Sequence, residues 1–177
     1  MTFEFDLVYL IYIGNISLAC YAFFMRFLIV ILCCLNWLPV LADKPAGYPF
    51  VTFDKAMQQA SVQNKPIFVY FGRYGCGYCD KTNKEAFSSQ KVRELYSKNY
   101  ILAYVDAESG KRLRLPSGER ITEREVGTRY NAFATPVFTF MTLNGEPLHR
   151  LVGVQRIEDL LSADTEVQQK LHGTKKP

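Results

Sequence analysis

The stretch Ile67-Phe68-Val69-Tyr70-Phe71-Gly72-Arg73-Tyr74-Gly75-Cys76-Gly77-Tyr78-Cys79 decides how this chain is read. Its first five residues are an unbroken apolar and aromatic run, the pattern of a strand buried on both faces. The residues from Cys76 onward have helical spacing, so the two cysteines fall on a strand-to-helix turn. A thiol at a helix N-terminus meets unpaired backbone N–H groups and the positive end of the macrodipole, which favour the thiolate. The thiolate is the nucleophile of thiol–disulfide exchange, and a second cysteine three residues on can resolve the mixed disulfide.

The cysteine count strengthens this reading. The chain has five cysteines, and Cys20, Cys33 and Cys34 all lie in the apolar N-terminal segment. A structural disulfide between Cys76 and Cys79 would close a very short loop and gain little loop entropy. A zinc site needs about four ligands, often two such pairs or a pair with histidines. Only His149 and His172 remain, neither beside a second pair, so no metal is expected.

The N-terminal segment speaks to location. Between Leu7 and Ala42 the only charge is Arg26. Met25-Arg26 followed by the apolar run from Phe27 to Leu32 has the form of a signal peptide, with Val40-Leu41-Ala42 as its cleavage site. Met25 would then be the true start. Alternatively Leu7 to Phe24, at the lower limit of a bilayer span, is retained as an anchor. Both readings export the remainder. A lipoprotein attachment is disfavoured, because Leu32 stands where a small residue would precede the cysteine.

The expected organisation is a hydrophobic extension over residues 1–42, one α/β domain over 43–163 and a polar C-terminal tail over 164–177. Taking one base and two acids of the first segment from the chain's 21 and 17 leaves a net charge of about +5. Lys111, Arg112, Arg114, Arg120, Arg124 and Arg129 cluster, but Glu108, Glu119, Glu123 and Glu125 interleave with them. A solvated mixed face is expected there rather than a nucleic-acid patch.

The spacing predicts a helix over Phe53–Gln63 with Thr52 as N-cap, broken by Asn64-Lys65-Pro66. A strand over Ile67–Phe71, the motif helix over Cys76–Phe87 and a second helical stretch over Ser89–Lys98 come next. Tyr100–Val105 reads as a strand and Ala107–Arg120 as irregular, with a turn at Pro116-Ser117-Gly118. Thr122–Tyr130 reads as a helix with Thr122 and Glu125 in capping-box register. Val137–Thr142 and Leu148–Val152 form a hairpin about Asn144-Gly145, and Ile157–Leu161 a last helix.

With Cys76 and Cys79 after a hydrophobic strand, Ala134-Thr135-Pro136 before the hairpin and Gly153 after it, the mature chain resembles the thioredoxin superfamily. The stretches FGRYGCGYC (71–79), DAESGKRLRLPSGERI (106–121) and SGERITEREVGTRYNAFATPVFTFMTLNGEPLHRLVG (117–153) look most like the SoxW-like periplasmic thioredoxins, and more distantly the C-terminal domain of DsbD. The resemblance implies a central mixed sheet flanked by helices. It also implies a cis bond before Pro136, which packs against the disulfide and exposes the Thr135 backbone to an extended substrate, with Gly77 and Tyr78 on the same surface. It further implies an exported reductase of protein disulfides, recharged by a membrane electron donor of the DsbD or CcdA type. The Cys76–Cys79 disulfide would be its only redox group. Cys76 would attack and Cys79 resolve.

Two departures stand out. The buried acid six residues before the first cysteine is replaced by Tyr70, too weak an acid to act as base at neutral pH. Water, Asp80 or Glu85 could then take the Cys79 proton. The usual tryptophan is replaced by Gly75, with Tyr74 and Tyr78 as aromatic surface. Arg73 and Lys81 are candidate cations for the Cys76 thiolate. A disulfide oxidase or isomerase of the cell envelope, or a non-catalytic binding module on the same fold, stays open as an alternative, and the substrate is not named by the sequence.

Overall fold

The computed structural model describes residues 25–26 and 44–173. The readings of an anchor, a cleavage site and the remaining cysteines fall outside the described residues. Among those described, no helix is long and apolar enough to cross a membrane.

From Phe53 onward the elements are α1 (Phe53–Gln63), β1 (Ile67–Gly72), α2 (Gly77–Glu85), α3 (Gln90–Asn99), β2 (Ile101–Asp106), β3 (Arg112–Arg114), β4 (Arg120–Thr122), α4 (Glu123–Arg129), β5 (Val137–Met141), β6 (Pro147–Val152) and α5 (Ile157–Gly173). Four strands make one mixed sheet in the order β2-β1-β5-β6. β1 runs parallel to β2 and antiparallel to β5, and β6 pairs antiparallel with β5.

The apolar run of β1 is central and buried throughout. Successive side chains point to opposite faces, so Ile67, Val69 and Phe71 join Phe53, Ala56, Ala60 and Val126 on one side. Phe68 and Tyr70 join Phe87, Tyr96, Phe138, Phe140, Leu160 and Val167 on the other. The second face is strongly aromatic. Phe68 meets Tyr96 edge-on at 4.9 Å, and Tyr70 lies 4.7 Å from Phe138, contacts worth about 0.5–1.5 kcal/mol each beyond their buried area.

Some expectations are met and others are corrected. Thr52 sits at the N-cap of α1 but makes no side-chain cap bond; its hydroxyl donates to Asp54 instead. Asn64 ends α1 in the left-handed region, with its N–H on the Ala60 carbonyl. The segment 107–120 is not irregular throughout. Arg112–Arg114 and Arg120–Thr122 pair as a small antiparallel sheet, because Leu113 and Ile121 bury one face of it against the α1 side of the core. Residues 164–173 are not a polar tail but continue α5. Val167 is buried there, and buried Asp164 accepts from Tyr100 Oη at 2.6 Å and Asn99 Nδ2 at 3.1 Å. The capping box of α4 is formed on both sides, Thr122 with Glu125.

Candidate active site

The C-terminal end of β1 delivers the chain through Arg73-Tyr74-Gly75 to Cys76, and Gly75 takes φ of +67° with open space around it. Cys76 is the N-cap of α2 and Cys79 lies in its first turn. The two are joined as a disulfide with Cα atoms 5.2 Å apart. The Cys79 N–H donates to Cys76 Sγ at 3.2 Å, a capping bond made by sulfur in place of the usual oxygen. Cys76 is 3% exposed and Cys79 0%, so of the two only Cys76 keeps any solvent-accessible surface.

The Thr135-Pro136 bond is cis and lies against the disulfide. Thr135 Oγ1 donates to Cys76 Sγ at 3.3 Å, and the Thr135 carbonyl oxygen is 3.6 Å from the same sulfur. The loop is pinned from behind. Gly153, at φ of +82°, donates its N–H to the Pro136 carbonyl at 2.9 Å. Two residues on, Gln155 N–H donates to Thr82 Oγ1 at 3.3 Å, tying the end of the hairpin to α2.

Beside the disulfide opens a cavity of about 470 Å³ lined by Arg73, Tyr78, Glu108, Phe133, Thr135 and neighbours. Tyr78 and Phe133 are 69% and 76% exposed at its rim, and Tyr74 is exposed too. Large aromatics left in water around a groove mark an interaction surface. Phe133 was missed in the sequence; an aromatic three residues before a cis-proline position was the available signal. Gly77 is the exposed first residue of α2, and a Cβ there would meet nothing.

Tyr70 lies fully buried beneath α2. Its ring stacks on Phe87 at 5.5 Å, and its hydroxyl donates to Asn83 Oδ1 at 3.1 Å, 3.5 Å from the Cys79 carbonyl. The position that a buried acid would occupy is thus part of an aromatic wall. Of the candidate bases, Glu85 is exposed and pairs with Lys81 at 3.8 Å. Asp80 lines a different cavity, of about 430 Å³, with Asn83, Phe87 and Arg93. The candidate cations are likewise engaged. Arg73 pairs with Glu108 at 2.9 Å and Lys81 with Glu85.

A disulfide on the first turn of a helix, its second cysteine fully buried and its first at the surface edge of the core, facing a cis-proline loop at the end of a mixed sheet, defines a thiol–disulfide oxidoreductase. Residues 53–167 match the model of the thioredoxin-like domain family, and the chain belongs to that family. Among curated proteins it is 33% identical over 54 residues to spermatogenesis-associated protein 20 of Mus musculus, covering 30% of this chain and 7% of that protein. It is 34% identical over 56 residues to an uncharacterised protein of Archaeoglobus fulgidus, covering 32% of this chain and 44% of the other. The matches therefore span less than half the length of either relative. A thioredoxin from Thermus thermophilus superposes with a TM-score of 0.59 at 22% identity, covering 73% of this chain and 93% of its own. A putative disulphide-isomerase from Bacteroides thetaiotaomicron gives 0.52 at 24% identity, covering 78% and 99%. DsbH oxidoreductase gives 0.56 at 17%, covering 74% and 90%. At these identities the likeness is one of fold.

Proposed function

We propose that this protein reduces disulfides of partner proteins outside the cytoplasm. The reduced form presents Cys76 as thiolate to a partner disulfide held in extended form along the Thr135 backbone, with Gly77 and Tyr78 on the same wall. Attack forms a Cys76–partner mixed disulfide and releases one partner thiolate. Cys79 gives up its proton to solvent, attacks Cys76 Sγ and releases the second. Two electrons pass from the protein dithiol to the partner disulfide, and the protein is left oxidised. A membrane dithiol donor of the DsbD or CcdA type would restore it. The apolar segment from Leu7 to Ala42 supports export to the periplasm, either as a mature soluble protein or on an inner-membrane anchor.

The observation that carries the reducing direction is the set of donors on Cys76. Both hydrogen bonds to its sulfur come from neutral groups, the Cys79 amide and the Thr135 hydroxyl. The candidate cations Arg73 and Lys81 are each paired with a carboxylate. An oxidant of the DsbA kind owes its potential to strong stabilisation of the reduced form. Neutral donors stabilise a thiolate less than a cation would, which leaves the disulfide the better-tolerated state and the dithiol the better donor. The test is reduction of insulin with a dithiol as electron source. Turnover that disappears in Cys76→Ser supports the reading; no turnover with any dithiol donor sinks it.

A further inference from the structure

The segment from the end of β2 through α4 carries a charge run that looks balanced in sequence. In the fold its carboxylates are all engaged. Glu108 holds Arg73, Glu119 holds Arg129, buried Glu123 takes Lys111 at 3.6 Å, and Glu125 closes the capping box with Thr122. Asp106 Oδ1 accepts the Glu108 N–H at 3.0 Å, and Arg124 is turned onto the Glu108 carbonyl. What remains is Arg112, Arg114 and Arg120, all exposed and without an acidic partner among the described residues.

The register puts these three on one face. Arg114 stands directly opposite Arg120, and Arg112 opposite Thr122, while Leu113 and Ile121 point together into the core. Opposed residues of an antiparallel pair have Cβ atoms about 5 Å apart, and like charges so placed destabilise the pair. The hairpin therefore keeps an unfavourable Arg114–Arg120 pair, with Arg112 two residues along on the same face, that an anionic ligand would relieve. Its place in the fold selects the ligand. Glu108 and Thr128, which flank the hairpin in sequence, both line the groove beside Cys76. Arg112 lies four residues after Glu108, at most about 14 Å of chain.

We propose that the face bearing Arg112, Arg114 and Arg120 is an electrostatic docking site for an acidic segment of the same polypeptide whose disulfide Cys76 attacks. The inference rests on the reductase reading of the groove and adds a substrate class to it: proteins with Asp- or Glu-rich sequence near the target disulfide. Exposed charges of this kind act mainly on encounter and discrimination, and are screened by salt.

The test uses the full chain, pre-reduced, against two synthetic disulfide peptides that differ only in a four-residue flank, acidic in one and its amide counterpart in the other. Each turnover oxidises Cys76 and Cys79 to their disulfide and yields two peptide thiols. Three exposed ion pairs predict that the acidic peptide reacts about tenfold faster at low ionic strength. The preference should fall towards unity in about 1 M salt, where the screening length is about 3 Å. It should also collapse in the Arg112→Gln, Arg114→Gln, Arg120→Gln triple variant, with the amide peptide's rate unchanged. The corresponding triple lysine variant should keep most of it. Equal rates for the two peptides in the native protein, or a preference that survives the glutamine variant, overturn the proposal. So does arginine-dependent binding to anionic lipid vesicles or duplex DNA without any peptide preference. No reduction of either peptide would instead refute the reductase reading itself.

Discussion

Thr135→Val isolates one bond at the reacting sulfur. Valine keeps the shape of threonine but removes the hydroxyl that donates to Cys76 Sγ at 3.3 Å. In the disulfide that donor meets a weak neutral acceptor, whereas in the reduced protein it meets a thiolate. Hydrogen bonds to charged groups are worth about 1.5–3 kcal/mol, and a partly buried threonine with a long bond to sulfur belongs at the lower end, about 1.5 kcal/mol. That is about one pKa unit, so the Cys76 thiol should titrate about one unit higher in the variant. The same free energy is about 30 mV for a two-electron couple. With the reduced form losing the stabilisation, the midpoint should move about 30 mV more negative, measured above the Cys76 pKa. Thiolate absorbance against pH and equilibration with glutathione buffers read the two quantities. Thr135→Ser, which keeps the hydroxyl, should restore both. If the valine variant matches the native protein in pKa and potential, the neutral-donor account of this sulfur is wrong.

Tyr70→Phe should cost about 1 kcal/mol of stability through the lost bond to Asn83, yet leave the rate of exchange and its pH profile unchanged; a shifted profile would make the phenol part of the proton path. Burial holds the Glu123 carboxyl above the usual carboxylate range. A raised acid contributes stability that is full below its unfolded pKa and lost as pH rises through the folded one. Denaturation midpoints should therefore fall from about pH 4.5 upwards more in the native protein than in Glu123→Gln, and parallel curves would contradict this. Ending the chain after Ala163 removes buried Val167 and the Asp164 acceptor of Tyr100. It should cost about 3–5 kcal/mol in urea melts, whereas a dispensable tail would cost nothing.

The strand–turn–helix of the motif was legible because every level agreed: an apolar run for a strand buried on both faces, Gly75 free to take positive φ, and a cysteine at the cap. The β5–β6 hairpin was legible for the same reason, with Asn144-Gly145 between two apolar runs. The β3–β4 hairpin was not, since three-residue strands with arginines outside and a single apolar residue inside leave no periodicity to read. α5 was cut short because Ser162, Asp164, Thr165 and Glu166 read as polar. Asp164 is buried through partners 64 and 65 residues away, which no local pattern shows. At the site, both cysteines and Pro136 could be named in advance. The Thr135 hydroxyl on sulfur, 59 residues distant in sequence, and the pairing that withdraws Arg73 and Lys81 from the thiolate needed the fold.

The direction of electron flow is decided most directly by the midpoint potential of the Cys76–Cys79 couple in the full chain. Neutral donors on Cys76 predict a value near the thioredoxin end of the range, about −270 mV; a value near the DsbA end, about −120 mV, would contradict the reductase reading and make the protein an oxidant.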